Sequence, residues 1–131
     1  MKTQTKLLLI HIAGVFSILF TLFHAGFYWI FNWSKTLIVM NPIDKAILLT
    51  FNLIGILLLL YLLILAFGFT LQLIETTVGK SLLLFFTLFY AVRIFSEFAF
   101  FRHEMPLSLV IITMCLIPAI CFSLPVFFKS K

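Results

Sequence analysis

An arginine and a glutamate stand one helical turn apart inside a long apolar run of this sequence. The stretch from Tyr90 to Glu97 reads YAVRIFSE and places Arg93 and Glu97 at positions i and i+4. At that spacing in a helix the two side chains can meet, so the pair can enter a membrane nearly neutral. A lone charge at the centre of a membrane helix costs about 2.5 to 3.5 kcal/mol on insertion scales. Ionisable groups at such a depth are typical of ligand sites and proton relays.

The composition indicates that the bilayer is the solvent of this chain. Of its 131 residues, 64% are hydrophobic and 10% are charged, whereas a soluble domain carries about half apolar and about a quarter charged residues. The length allows one domain. The nine basic residues are dispersed along the chain, so the basic patch typical of a nucleic-acid-binding surface is missing. We therefore expect a lipid bilayer, and no nucleic acid, as the partner.

Four apolar runs are long enough to cross a membrane as helices. They cover residues 7–31, 46–68, 81–101 and 107–127. The first run is too long for the apolar region of a signal peptide, so we expect it to stay as an uncleaved span. The sequence thus predicts an all-α, polytopic membrane protein in which residues 1–131 form one domain, an up-down-up-down bundle of four transmembrane helices.

The connections between the spans carry signals for topology. We expect residues 69–80 to extend the second helix, with Gly79 as its C-terminal stop, and residues 102–106 to form a tight polar turn. Four spans put both termini on one side of the membrane. The basic residues on that side are Lys2, Lys6, Lys80, Lys129 and Lys131, against Lys35, Lys45 and Arg102 on the other. The positive-inside rule then predicts cytoplasmic termini, in the plasma membrane or inner membrane of a bacterium.

Polar residues of the spans share one face of each helix and one depth in the membrane. An α-helix rises about 1.5 Å per residue, so His24 and Asn52 lie about 7 to 8 Å from the midpoints of their spans, towards the non-cytoplasmic side. On the same side Arg93 lies about 3 Å and Glu97 about 9 Å from the midpoint. The candidate residues for ligand binding or proton relay are His24, Asn52, Arg93 and Glu97, bordered by Tyr28 and Tyr90. We expect these side chains to converge inside the bundle.

Two interpretations of this polar layer remain open: it is a functional site, or its hydrogen bonds only hold the helices together. Asn52 can donate a hydrogen bond to Glu97, and neutral His24 can donate or accept one. Hydrogen bonds of this kind can simply hold helices together. Buried ion pairs contribute little net stability, however, which weakens a purely structural explanation.

We consider three functions, and the sequence favours the first. In the first, the polar layer binds or passes a small ligand or a proton. In the second, the chain is a non-catalytic accessory or assembly subunit, either in a homo-oligomer or beside a partner membrane subunit. In the third, it is a membrane-embedded enzyme acting on a lipid or quinone, with His24 or Glu97 as acid/base and Arg93 stabilising an oxyanion.

The sequence contains little that would support an enzyme or a cofactor site. It has no nucleophile motif and no metal-ligand spacing, and Cys115 and Cys121 form no CxxC pair. His24 is the only deep histidine, so a haem would lack a second axial histidine at that depth. We therefore predict no metal and no cofactor, and we do not expect enzymatic activity.

Overall fold

Helices make up all the regular structure of the computed structural model, which describes residues 1–101 and 107–128. In chain order they are α1 (Thr3–Ala25), α2 (Phe27–Ile30), α3 (Trp33–Thr36), α4 (Pro42–Gly68), α5 (Thr70–Glu75), α6 (Thr77–Phe100) and α7 (Leu107–Phe127). Within these described ranges, α1, α4, α6 and α7 are long and apolar enough to cross a membrane. The chain is therefore an all-α, multi-pass integral membrane protein. The turn predicted at 102–106 and the C-terminal lysines at 129 and 131 lie outside the described residues.

The long helices contact one another most extensively in the order α4, α1, α7, α6. Helix α1 packs against α4 on one side and α7 on the other, and α7 also packs against α6. His24 near the end of α1 contacts Asn52 in the first half of α4, so these two helices are antiparallel. Lys6 near the start of α1 donates to the carbonyl of Pro125 near the end of α7, at 3.1 Å. Helix α1 thus packs against both α4 and α7 and runs antiparallel to each of them.

Capping residues set helix ends that hydropathy alone does not mark. Asn41 Oδ1 accepts a hydrogen bond from the Ile43 amide at 2.7 Å, and Pro42 occupies the first turn, so α4 begins before the apolar run at 46. Thr76 Oγ1 accepts from the Gly79 amide at 2.9 Å, so α6 likewise begins ahead of the run at 81. The first long helix ends at Ala25, and the residues up to 31 belong to a bend and the short α2.

Residues 69–80 form a corner rather than an extension of the second helix. Helix α4 ends at Gly68, and Thr76, in an extended conformation, separates the short α5 from α6. Gly79 is not a C-terminal stop but lies in the first turn of α6. A Cβ at Gly79 would overlap the backbone of Gln72 and Leu73 in α5. The expectation for this segment was wrong because Gly79 permits close helix contact instead of ending a helix.

Large aromatic side chains fill the contact between α6 and α7. Phe86, Tyr90 and Phe122 are almost fully buried, and the rings of Phe86 and Phe122 lie 5.5 Å apart. At the contact between α1 and α4, a Cβ at Gly14 would lie 3.1 Å from the Cβ of Ala66, so these two helices approach each other closely there. These contacts hold the polar residues of four helices at fixed positions.

Candidate functional site

Arg93 and Glu97 lie inside the helix assembly and form an ion pair. Arg93 Nη2 stands 3.3 Å from Glu97 Oε1, with side chains 25% and 2% exposed, respectively. Arg93 Nη1 donates to Ser96 Oγ at 3.2 Å, and the Ser96 hydroxyl donates to the Arg93 carbonyl at 2.8 Å. The guanidinium carbon lies 4.9 Å from the centroid of the Phe101 ring. One turn of α6 and the residue after it therefore hold the arginine in place.

The second carboxylate oxygen of Glu97 lacks a hydrogen-bond donor. Oε2 is buried and has no partner among residues 1–101 and 107–128. It is the only such buried side-chain atom in those ranges. A buried acceptor without a partner costs about 1 to 3 kcal/mol, and more when it is charged. Such an atom in an otherwise satisfied interior marks the place where a further group would bind.

A pocket of about 480 Å³ lies against this ion pair. Among the described residues, its polar lining comes from Arg93, Glu97 and Ser108. The other described lining residues are apolar and mostly aromatic: Phe23, Phe27, Phe31, Trp33, Leu48, Phe100, Phe101, Leu107 and Ile111. Small-molecule sites are typically pockets of about 300 to 1,000 Å³ with apolar walls and few polar groups. The pocket has that size and that composition.

His24 and Asn52 pair with each other instead of with Glu97. Asn52 Nδ2 donates to the backbone carbonyl of His24 at 3.2 Å, which directs Asn52 Oδ1 to His24 Nδ1 at 2.9 Å. His24 Nδ1 therefore carries the hydrogen in this contact. Phe27 stacks on the imidazole with a centroid distance of 4.4 Å. The hydrogen bond from Asn52 to Glu97 that the sequence suggested does not occur in the described structure, where Asn52 pairs with His24 instead.

The two tyrosines of the predicted site have different surroundings. Tyr90 is buried, and its hydroxyl lies 3.0 Å from Ser17 Oγ, which itself donates to the Ala13 carbonyl. Tyr90 is therefore the donor in a contact between α6 and α1. Tyr28 is 49% exposed and packs edge-on against Trp29. The structure thus places Tyr90 in the core and Tyr28 on the surface, away from the pocket that Arg93 and Glu97 line.

A second cavity brings the His24 group and the Arg93 group together. It has a volume of about 260 Å³, and residues of α1, α4, α6 and α7 line it. His24, Tyr90, Arg93, Ser96 and Cys115 are its polar or sulfur-containing members. Arg93 lines both this cavity and the larger pocket. The arginine therefore stands at the boundary between the two spaces.

Several residues of the site were not singled out from the sequence. Ser96 and Phe101 hold the guanidinium, and the aromatic wall at positions 23, 27 and 31 recurs at a spacing of four residues. That spacing places the three phenylalanines on one side of a helix, which is a usable sequence signal. Among 18 phenylalanines, however, it does not stand out.

The described side chains offer no metal centre, and known proteins offer no precedent. No group of three or more His, Cys, Asp and Glu side chains that could hold a metal occurs within residues 1–101 and 107–128. Comparison with protein families, curated proteins and solved structures found no match. The Arg93–Glu97 pair and its apolar pocket therefore indicate the function of this chain more directly than any similarity does.

Proposed function

We propose that this membrane protein binds a small molecule in the pocket beside Arg93 and Glu97. The observation that carries the proposal is made at Glu97: its Oε2 is a buried acceptor without a partner in the described structure, and the residue lines a 480 Å³ pocket. A bound molecule that donates a hydrogen bond would satisfy this oxygen. The aromatic walls would bury the rest of the molecule. Passage of the ligand across the membrane would be a further step of the same function.

The arrangement fits a binding site better than a purely structural contact. The Arg93–Glu97 pair lies within one helix, so it does not join two spans in the way that Ser17–Tyr90 and His24–Asn52 do. Removing two charges from water costs several kcal/mol per ion, and the pair repays this only with complete hydrogen bonding. A pair that is incomplete and contained in one helix adds little to the assembly of the bundle. Ligand binding gives it a role.

The test is to look for a small molecule that copurifies with the protein. Protein extracted gently in lipid nanodiscs is denatured in organic solvent, and the released molecules are identified by mass spectrometry. The proposal predicts one non-phospholipid species near one mole per mole of protein, and a clear loss of it in Glu97→Gln. Glu75→Gln is the matched control, since Glu75 is an exposed acid in α5. Equal amounts in all three proteins, or none in any, would refute ligand binding at this site.

We propose as the alternative that the chain is a subunit of a homo-oligomer, joined through α4. Thr50, Leu57 and Tyr61 recur along one exposed side of this helix. Hydroxyl groups that face hydrocarbon cost free energy, whereas a neighbouring span would offer them hydrogen-bond partners. A second copy of the chain would present the same two hydroxyls in return.

Oxidative cross-linking in native membranes distinguishes this alternative. Leu57→Cys should form a disulfide-linked dimer on oxidation if two copies meet at α4. Phe95→Cys, on an exposed position of α6, is the control and should stay monomeric. The native cysteines, Cys115 and Cys121, are buried. Absence of a dimer from Leu57→Cys would rule out this interface.

We also propose that both termini face the cytoplasm of a bacterial inner or plasma membrane. The distribution of basic residues along the sequence supports this orientation. A periplasmic phosphatase fused after the last span should be inactive, whereas the same enzyme inserted near Lys35 should be active. The reverse pattern would invert the proposed topology.

A further inference from the structure

We infer that the ligand of the Arg93–Glu97 pocket is an uncharged lipophile whose head group donates a hydrogen bond, as an alcohol does. The inference rests on the proposed function and names the class of molecule. Its starting point is that Glu97 Oε2, the group left without a partner in the described structure, is an acceptor. A ligand that carries only acceptors would leave this oxygen unpaired.

The charges around the pocket favour a neutral head group. Arg93 and Glu97 already neutralise each other at 3.3 Å. A cationic ligand at Oε2 would add a second positive charge beside the guanidinium, in surroundings where charge is poorly solvated. An anionic ligand would meet the carboxylate. A hydroxyl group supplies the missing donor and leaves the net charge of the Arg93–Glu97 pair at zero.

The walls of the pocket define the rest of the ligand. Most of the lining is aromatic or aliphatic, from helices α1, α2, α3, α4, α6 and α7 and from residues next to them. Such walls bury an alkyl or aryl body but offer few polar groups to a second head group. The ligand should therefore carry its polar atoms at one end. A molecule of this kind partitions into the bilayer, and the exposed residues Phe51 and Val92 line the 260 Å³ cavity that shares Arg93 with the pocket.

Aromatic rings also attract cations, so a cationic ligand is the main competing class. A cation over an aromatic face gains about 0.5 to 2 kcal/mol. In this pocket the Arg93 guanidinium already lies over the Phe101 ring at 4.9 Å. The protein's own cation thus already lies over one ring of the pocket lining. A ligand cation would have to bind beside it.

Tryptophan fluorescence provides a direct readout for the ligand class. The chain has two tryptophans; Trp33 is buried and lines the pocket, whereas Trp29 is exposed. In a Trp29→Phe background, bromine on a bound probe quenches Trp33. The probes are 6-bromohexan-1-ol, 1-bromohexane and (6-bromohexyl)trimethylammonium, each added to the full-length protein in phosphatidylcholine nanodiscs. They share one body and differ in the head group.

The expected result is saturable quenching by the alcohol that depends on Glu97. Loss of a hydrogen bond to a charged group should raise the half-saturation concentration about tenfold or more in Glu97→Leu. In Glu97→Gln, which keeps a weaker acceptor and the shape of the side chain, the rise should be smaller. Glu75→Gln should leave the curve unchanged. The bromoalkane should quench through the lipid alone, without dependence on residue 97.

Two results would overturn the inference, and they differ in what they mean for the proposed function. Stronger, Glu97-dependent quenching by the ammonium probe would show that the pocket selects cations, while ligand binding itself would stand. Alcohol quenching that is equal in Glu97→Gln and the unsubstituted chain would remove the alcohol class. If a copurifying molecule still depended on Glu97, the proposed function would survive that second result. If Glu97→Leu does not fold, Glu97→Gln carries the comparison.

Discussion

Glu97 is paired at one carboxylate oxygen and unpaired at the other, and this asymmetry is the central feature at the scale of single residues. Oε1 contacts Arg93 at 3.3 Å, whereas Oε2 is buried without a partner in the described ranges. The sequence predicted the meeting of Arg93 and Glu97, because i to i+4 spacing brings two side chains of a helix together. It did not predict the partners of Asn52, because residue depth leaves the choice between His24 and Glu97 open. Only packing decides that choice.

The double substitution Arg93→Leu/Glu97→Leu separates stability from function. We expect it to leave the free energy of unfolding unchanged or to raise it by about 1 to 4 kcal/mol, because apolar residues often replace a buried ion pair without loss. Arg93→Leu alone should lower it by about 3 to 5 kcal/mol, since an uncompensated carboxylate remains. Reversible unfolding in mixed micelles measures both. A double variant that is several kcal/mol less stable would show that the pair is structural.

Asn52→Ala tests the second polar pair. The substitution removes both hydrogen bonds that Asn52 makes to His24, across the contact between α1 and α4. Interhelical hydrogen bonds in membranes contribute about 0.6 to 2 kcal/mol, so a loss of about 1 to 2 kcal/mol is expected. Thr113→Val is a suitable control, because among the described residues the Thr113 hydroxyl bonds to the carbonyl of Leu109, in its own helix. Equal effects of the two substitutions would contradict the role of Asn52.

At the scale of the elements, the corner between α5 and α6 shows most clearly what hydropathy can and cannot reveal. The apolar runs located the parts of the helices that lipid surrounds, because burial in hydrocarbon requires apolar side chains. They did not locate the polar helix ends, where Asn41 and Thr76 act as caps. Nor did they reveal the break at Phe69, because the polar residues that follow are compatible with a continuing helix.

Gly79→Ala should destabilise this corner, whereas Gly68→Ala should not. A Cβ at Gly79 meets the backbone of Gln72 and Leu73, and backbone atoms cannot move aside as a side chain can. Such overpacking costs about 1 to 3 kcal/mol. A Cβ at Gly68 has no heavy atom within 4 Å, so the helix preference of alanine should make that change neutral or stabilising by up to about 1 kcal/mol. Thermal unfolding of the two variants provides the comparison, and a stable Gly79→Ala would contradict the close contact.

At the scale of the whole molecule, the lateral order of the helices is what the sequence could not supply. Periodicity shows which face of a helix is polar, but four such faces can be arranged around one another in several ways. In the structure the lateral order is defined by α1, which packs against both α4 and α7. That order leaves the 260 Å³ cavity bordered by α4 and α6, with Arg93 between it and the larger pocket. We propose that a ligand reaches Glu97 from the bilayer through this cavity.

Gly55→Leu tests this route. Gly55 lines the cavity, and a Cβ there lies 3.5 Å from the imidazole of His24, so a leucine side chain would occupy part of the space. We expect slower association of 6-bromohexan-1-ol in stopped-flow quenching of Trp33, with little change in affinity, because the binding pocket itself is untouched. An unchanged association rate would mean that the ligand enters by another path.

A high-resolution density map of the protein purified in native-lipid nanodiscs tests ligand binding at Glu97 most directly. Ligand binding there predicts non-protein density in the 480 Å³ pocket, elongated along its aromatic walls, with one end within about 3 Å of Glu97 Oε2. Density for ordered water alone at Oε2, in a pocket otherwise filled by the protein's own side chains, would contradict it.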